Sequence, residues 1–429
     1  MPRDPELEPE ANGGRRLLPT GPPVTEELGG RRAAIVNGAS RIVGPTTDGW
    51  LIRCLAVVIG AILTVYLVRN FQAYHHSEVA NFDEFAIWSK KAFALYYLDG
   101  LDPNFFSNPS LNTIHLEYPL LLPLLEAFVY RGMGQANDGL GHAELLIVFV
   151  AAVWTLGWIV ARERRNWYWL PILIALGVSP FAHGQQATGL ADVTMACFGG
   201  LGVLAMGQWL LHGERNMLML GALFLGASAN TKFEGLIVAV VAFVICGFVL
   251  LVGRQPRRLG TLVVAGVVLA VLVLPWRIWV AAHPQITSFF DAGRTFQWSD
   301  YMWPNRGLVR TGLQLLDQQV ADPTGLLFLV PLAIAMGLMA ILTGIDRMLA
   351  LFYALVGAGV VSAIVWIYWI NPASWSANRV ISAPVLVAVA GLLHLAARTS
   401  LLRSAASDGL AEDRDERLPD RRPDHALQA

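Results

Sequence analysis

The chain has 429 residues and a mass of 46.8 kDa; 55 % of its residues are hydrophobic and 15 % charged, against roughly a quarter charged in ordinary soluble domains. A mean hydropathy of +0.50 and recurrent apolar runs of bilayer length exclude a typical soluble enzyme and predict an all-α, multi-pass membrane protein. The formal net charge of −1 supplies no basic field for nucleic acid, and no zinc-finger or RNA-binding signature occurs.

In chain order, residues 1–50 are rich in Pro, Gly, Glu and Arg. They read as a disordered cytoplasmic tail, because such a composition buries too little apolar surface to offset chain entropy. The first apolar run starts near Leu51, too late for a cleavable signal peptide. Residues 51–397 read as one transmembrane domain and 398–429 as a second disordered cytoplasmic tail.

The criterion of about 20 apolar residues per crossing predicts about ten transmembrane helices. They lie near 51–69, 143–161, 167–187, 192–211, 216–231, 235–252, 260–281, 325–343, 348–370 and 380–397. With the N-terminus cytoplasmic, most Lys and Arg fall inside. They sit in the tails and in connections such as Arg162–Arg165, Arg215, Arg254–Arg258 and Arg347, as the positive-inside rule requires. The run Tyr118–Tyr130 is apolar but short and contains Glu126. As a full crossing it would invert this alternation, so it reads as interfacial or re-entrant. The expected location is a plasma (inner) membrane, with both termini cytoplasmic. Two larger outer loops result, about 70–142 and about 283–324, each carrying interfacial helices.

Ionisable groups are costly in hydrocarbon, so their depth is informative. Asp83, Glu84, Glu117, Asp192, Lys232, Glu234, Arg294 and Arg379 all fall at or near the outer ends of the predicted crossings. A proton or ion path would need charges through the bilayer depth. A site acting on something held at the outer surface would gather them there.

The first loop opens Asn81-Phe82-Asp83-Glu84. Asn81 suits a helix cap and Gly100 a stop; Phe85, Trp88, Ala92, Leu95 and Tyr96 would share one face of a surface helix. Asp83 and Glu84 in its first turn either complement the helix dipole or supply a general base at the lipid–water boundary. Further on, Pro119 and Pro123 interrupt any simple helix after His115-Leu116-Glu117-Tyr118. His115 alone reads as a loop histidine. No His/Asp/Glu set has convincing metal-ligand spacing, so no cofactor is expected and a divalent metal is neither supported nor excluded by the sequence. Cys54, Cys197 and Cys246 lie in apolar runs at unrelated spacings and read as buried thiols. Asp192 stands where the next helix begins, as a cap or as a site carboxylate. Lys232 either snorkels outward or pairs with Glu234. The second loop sets Phe289, Phe290, Phe296, Trp298, Tyr301 and Trp303 among Arg294, Arg306 and Arg310. It reads as an interface belt or as a sugar-stacking, phosphate-holding surface.

Four segments together resemble the multi-pass GT-C glycosyltransferases that use polyprenyl-phosphate sugars, in particular the family-39-like branch of protein O-mannosyltransferases and the lipid A aminoarabinose transferase. They are Phe82-Asp83-Glu84, His115-Leu116-Glu117-Tyr118-Pro119, Ala191-Asp192-Val193 and Thr231-Lys232-Phe233-Glu234-Gly235. The resemblance implies a GT-C-like fold and a hexosyl- or pentosyltransferase. Its donor would be a polyprenyl-phosphate sugar among membrane lipids, its acceptor a protein, lipid or glycan, and nucleic acid would have no part. It implies Asp83 as base, with Glu84 and Asp192 in the catalytic set. Glu117, His115, Glu234 and Arg379 would line the substrate site, and Lys232 and Arg294 would hold the donor phosphate. Two rivals carry the same composition. A transporter or flippase for a lipid-linked or small polar substrate would show broken helices at mid-membrane; a non-catalytic subunit would use its outer loops to recruit a partner.

Overall fold

The computed structural model describes residues 83–163, 190–286, 303–321, 329–343, 346–370 and 384–392, together with 394, 395 and scattered positions from 54 to 72. Both predicted tails, the crossing at 167–187, Asn81, Arg294, Arg379 and the aromatic run 289–301 lie outside the described residues. From Ala56 onward the chain clusters as one unit.

Among the described residues there is no strand. The elements are α1 (Glu84–Ser89, a π-helical stretch), α2 (Lys90–Tyr97), α3 (Pro103–Phe106), α4 (Leu121–Met133), α5 (Asp138–Glu163), α6 (Ala191–His212), α7 (Arg215–Thr231), α8 (Phe233–Val252), α9 (Leu259–Ala282), α10 (Gly307–Ala321), α11 (Leu329–Thr343) and α12 (Arg347–Ile370). Among the described residues, four stretches are long and apolar enough to cross a membrane: Ala191–His212, Phe233–Val252, Pro256–Ala282 and Arg347–Trp366. The chain is therefore an all-α membrane protein. Helix α4 has 13 residues, a length of about 20 Å at 1.5 Å per residue, well short of the roughly 30 Å hydrocarbon layer.

Helices α6 to α9 run alternately up and down, and small residues decide how closely they pack. A Cβ on Gly202 would lie 2.6 Å from Leu225 Cγ and 3.1 Å from the Gly221 carbonyl; one on Gly221 would lie 3.1 Å from the Gly202 carbonyl. The backbones of α6 and α7 thus meet through paired glycines. Membrane helices use such small-residue contacts because the lipid leaves little hydrophobic drive for helix association. At one end of these helices Arg258 donates to the Leu210 carbonyl at 2.8 Å and lies over Trp209. At the opposite end Ser228 Oγ donates to the Met195 carbonyl at 2.8 Å, and Asn230 Nδ2 to Leu272 O at 3.0 Å. That second end is where α6 begins, α7 gives way to α8, and α9 finishes.

The main apolar core lies along these helices and α12, around Met195, Val203, Leu225, Ala242, Phe352 and Val389. A second cluster, with Leu95, Phe106, Leu116 and Ile286, packs the segment between α2 and α4 against the end of α9 through Trp276 and Trp279. A third joins Ile87 and Trp88 of α1 to Leu122, Leu145 and Ala191. It places the start of α1 and α2 beside the first residue of α6.

Candidate active site

The chain leaves α7 abruptly. Lys232 is extended (φ −152°, ψ 158°) between Thr231, the last residue of α7, and Phe233, the first of α8. Its N–H donates to the Ser228 carbonyl at 3.2 Å, and its carbonyl accepts from Gly235 N–H at 3.1 Å. Only glycine fits at 235, because a Cβ there would stand 2.0 Å from the Ser228 oxygen. The Thr-Lys-Phe-Glu-Gly turn is thereby locked, and the Lys232 side chain is aimed sideways into the bundle.

There Lys232 Nζ meets two carboxylates, Asp192 Oδ1 at 2.7 Å and Glu234 Oε1 at 3.2 Å. Asp192 is 2 % exposed and Lys232 6 %. Both acids occupy first turns, Asp192 in α6 and Glu234 in α8, where the helix dipole favours negative charge. Burial alone would pull the Lys232 pKa down; the charges of Asp192 and Glu234 outweigh it and raise the pKa above its ordinary value. The ammonium is therefore held protonated between the two acids.

A strap of residues covers this group. His115 adopts a left-handed backbone (φ +51°), and its carbonyl accepts both Tyr118 N–H at 3.0 Å and Lys91 Nζ at 2.5 Å. His115 Nδ1 lies 3.0 Å from Glu117 Oε1. The Tyr118 ring stacks between His115 (4.9 Å) and Trp88 (5.7 Å). Trp276 Nε1 donates to the Glu117 carbonyl at 3.1 Å, which ties the strap to α9. Burial, and then the nearby charge of Glu234, raises the Tyr118 pKa, so the phenol stays neutral within reach of the Lys232 group's field.

Lys91 is fully buried. Its ammonium lies 5.5 Å from the Trp88 ring centre and 5.7 Å from that of Tyr118. Burial lowers its pKa to about 7, against a smaller opposing pull from Glu117. Its role is to hold the His115 turn.

The structure thus brings together Asp192, Lys232 and Glu234 by direct contact, and Glu117 and His115 through the strap. Glu84 is buried at 2 % exposure, and Asp83 is half-buried at the head of α1. Both stand a turn before Ile87 and Trp88, which pack on Ala191 beside Asp192. The first loop differs from expectation: α1 is π-helical, a local widening that recurs at functional sites, and Phe85 is exposed while Trp88, Ala92 and Leu95, expected on its face, are buried. Among the described residues, no group of three or more His, Cys, Asp or Glu is placed to hold a metal ion.

Several participants were not singled out by sequence reasoning. Trp88 and Lys91 read as parts of a surface helix, and Tyr118 as a member of the His115–Pro119 segment with no role of its own. Trp276 and Arg277 were hidden in the predicted crossing 260–281. Arg277 carried the clearest signal, since an ionisable residue inside an apolar helix is a functional candidate by default. A separate, apolar cavity of about 450 Å³ lies between α11, α12 and the helical residues 384–392, lined by residues such as Ile334, Gly337, Gly357 and Ala388. It is lined by none of the charged residues above. Compared with protein-family models, curated proteins and solved structures, the chain has no match.

Proposed function

We propose that the chain is an integral membrane glycosyltransferase that moves a sugar from a polyprenyl-phosphate donor to an acceptor at the outer face of the membrane. The observation that carries this reading is the buried Asp192–Lys232–Glu234 group at one end of α6 to α9, roofed by aromatic side chains and the Glu117 strap. In the proposed topology of ten crossings with cytoplasmic termini, that end faces outward, and the arginine-bearing turns at the other end face the cytoplasm.

Phosphate is already a good leaving group, so the reaction asks for a base and for cationic support rather than a strong acid. In the proposed mechanism Asp83 takes the proton of the acceptor hydroxyl as its oxygen attacks the anomeric carbon. The bond to the phosphate oxygen breaks on the opposite face, and the anomeric centre inverts. Asp192, held in place by Lys232, and Glu117 orient the sugar or acceptor; Glu84, His115 and Glu234 support them. Lys232 was expected to hold the phosphate, but its ammonium is already flanked by two carboxylates, which favours a role in organising the acids. The apolar clefts between helices suit the hydrocarbon part of such a donor.

The test is incubation of the purified full chain with a panel of polyprenyl-phosphate sugars while following release of the lipid phosphate. Turnover of one donor, lost in Asp83→Asn, is the expected result. Release from no member of the panel would overturn the reading.

A further inference from the structure

Arg277 lies near the end of α9 that meets the Lys232 group, five residues before the last residue, Ala282. It adjoins Trp276, whose indole is fixed to the Glu117 carbonyl. Its guanidinium carbon lies 5.3 Å from the ring centre of Phe233, the residue after Lys232. Its Nη2 is buried and makes no hydrogen bond, and among the described residues no carboxylate forms an ion pair with the guanidinium. The two other cations nearby are engaged: Lys232 with Asp192 and Glu234, Lys91 with the His115 carbonyl.

A buried N–H of a permanent cation without an acceptor is costly, and a purely snorkelling arginine would place its head in water. Over the Phe233 ring, the guanidinium instead sits beside the Lys232 turn with its Nη2 donors to spare. Two donors on a planar face match the oxygens of a phosphate bidentately, where an ammonium offers only a point charge.

We infer that Arg277 is the anchor for a phosphate group entering the site beside Phe233 and Trp276. The carrier is assigned as a polyprenyl phosphate, and that assignment rests on the glycosyltransferase reading. The binding of a phosphate does not rest on it.

The test uses the full chain in nanodiscs and three probes: a polyprenyl monophosphate, the polyprenol of equal length, and inorganic phosphate. In the unaltered protein, modification of Arg277 by an arginine-specific dicarbonyl is followed by peptide mass spectrometry. The monophosphate lipid is expected to slow modification, and the polyprenol to leave it unchanged. Affinity for the monophosphate should fall about tenfold or more in Arg277→Gln, and less in Arg277→Lys. Modification unaffected by any phosphate probe, or equal affinity in Arg277→Gln, would overturn the inference. Because the protection measurement needs no variant, it decides the matter even if Arg277→Gln fails to fold. Equal protection by inorganic phosphate would overturn the lipid as carrier. Protection by the lipid with no sugar donor turned over would leave the phosphate anchor standing and remove the glycosyltransferase reading.

Discussion

Lys232 and Asp192 lie 40 positions apart and meet at 2.7 Å inside the protein, Lys232 between two helices and Asp192 in the first turn of a third. The pair is nearly water-free, so each charge depends on the other and on Glu234. Removing one partner of such a pair typically costs about 3–5 kcal/mol, because the remaining charge is stranded. Lys232→Ala is therefore expected to lower thermal stability strongly, with Lys232→Ala/Asp192→Ala less destabilised than the sum of the single variants. A double-mutant cycle by thermal unfolding in detergent checks this. Additive effects would mean that the contact contributes no coupling.

Asp83→Asn is expected to abolish sugar transfer at unchanged expression and unfolding temperature. The side chain is half-buried, and its isosteric amide keeps the local packing while losing proton affinity. Lipid phosphate release by the purified variant is the measurement; near-normal release would take the base role from Asp83.

The helices themselves were legible in the sequence. Predicted crossings at 192–211, 235–252, 260–281 and 348–370 coincide with α6, α8, α9 and α12 to within two residues, because apolar length is a local property. Of the Asp192–Lys232–Glu234 group, the Lys232–Glu234 pairing was legible as one alternative, whereas Asp192 was visible only as a motif on the same side. Nothing along the chain says that Lys232 leaves its helix in an extended conformation and points at α6. The role of Lys91 was not legible either, since a surface-helix pattern does not reveal that a strap from residues 115–118 will cover it. Arg277 could have been marked by its place in an apolar run, but its place over the Phe233 ring is a tertiary fact.

Gly235→Ala should prevent the turn that presents Lys232. The new methyl would meet the Ser228 carbonyl oxygen at 2.0 Å and its carbon at 2.4 Å, backbone atoms that cannot swing aside as a flexible side chain can. The expected outcome is loss of folded protein. Gly132→Ala is the control: a Cβ there has nothing within 4 Å, and its helical position favours alanine by up to about 1 kcal/mol. Size-exclusion profiles of the two variants separate the cases.

The proposed topology predicts opposite labelling at two exposed positions. A cysteine at Gln135, after α4, should react with an impermeant maleimide added to intact cells. A cysteine at Glu214, between α6 and α7, should react only after lysis. The reverse pattern would place the charged site on the cytoplasmic side and end the transferase reading, because the donor sugar would then be on the wrong face.

Stability should rise with pH between about 7 and 10. Burial lowers the Lys91 pKa to about 7 in the folded protein, while the unfolded chain keeps the ordinary value of about 10.4. In that window the unfolded state binds more protons at Lys91, and stability increases with pH wherever this holds. The cost of burying the charged ammonium is thus fully present below pH 7 and is relieved as pH climbs. Tyr118 sets the upper limit. Its pKa is raised in the folded state, so above about 10 the unfolded phenol ionises first and stability falls again. Thermal unfolding across pH 6.5–10 should show the rise in the unaltered protein and a markedly shallower one in Lys91→Met. A slope unchanged in Lys91→Met would assign the titration to another group and leave Lys91 as an ordinary charged anchor of the His115 turn.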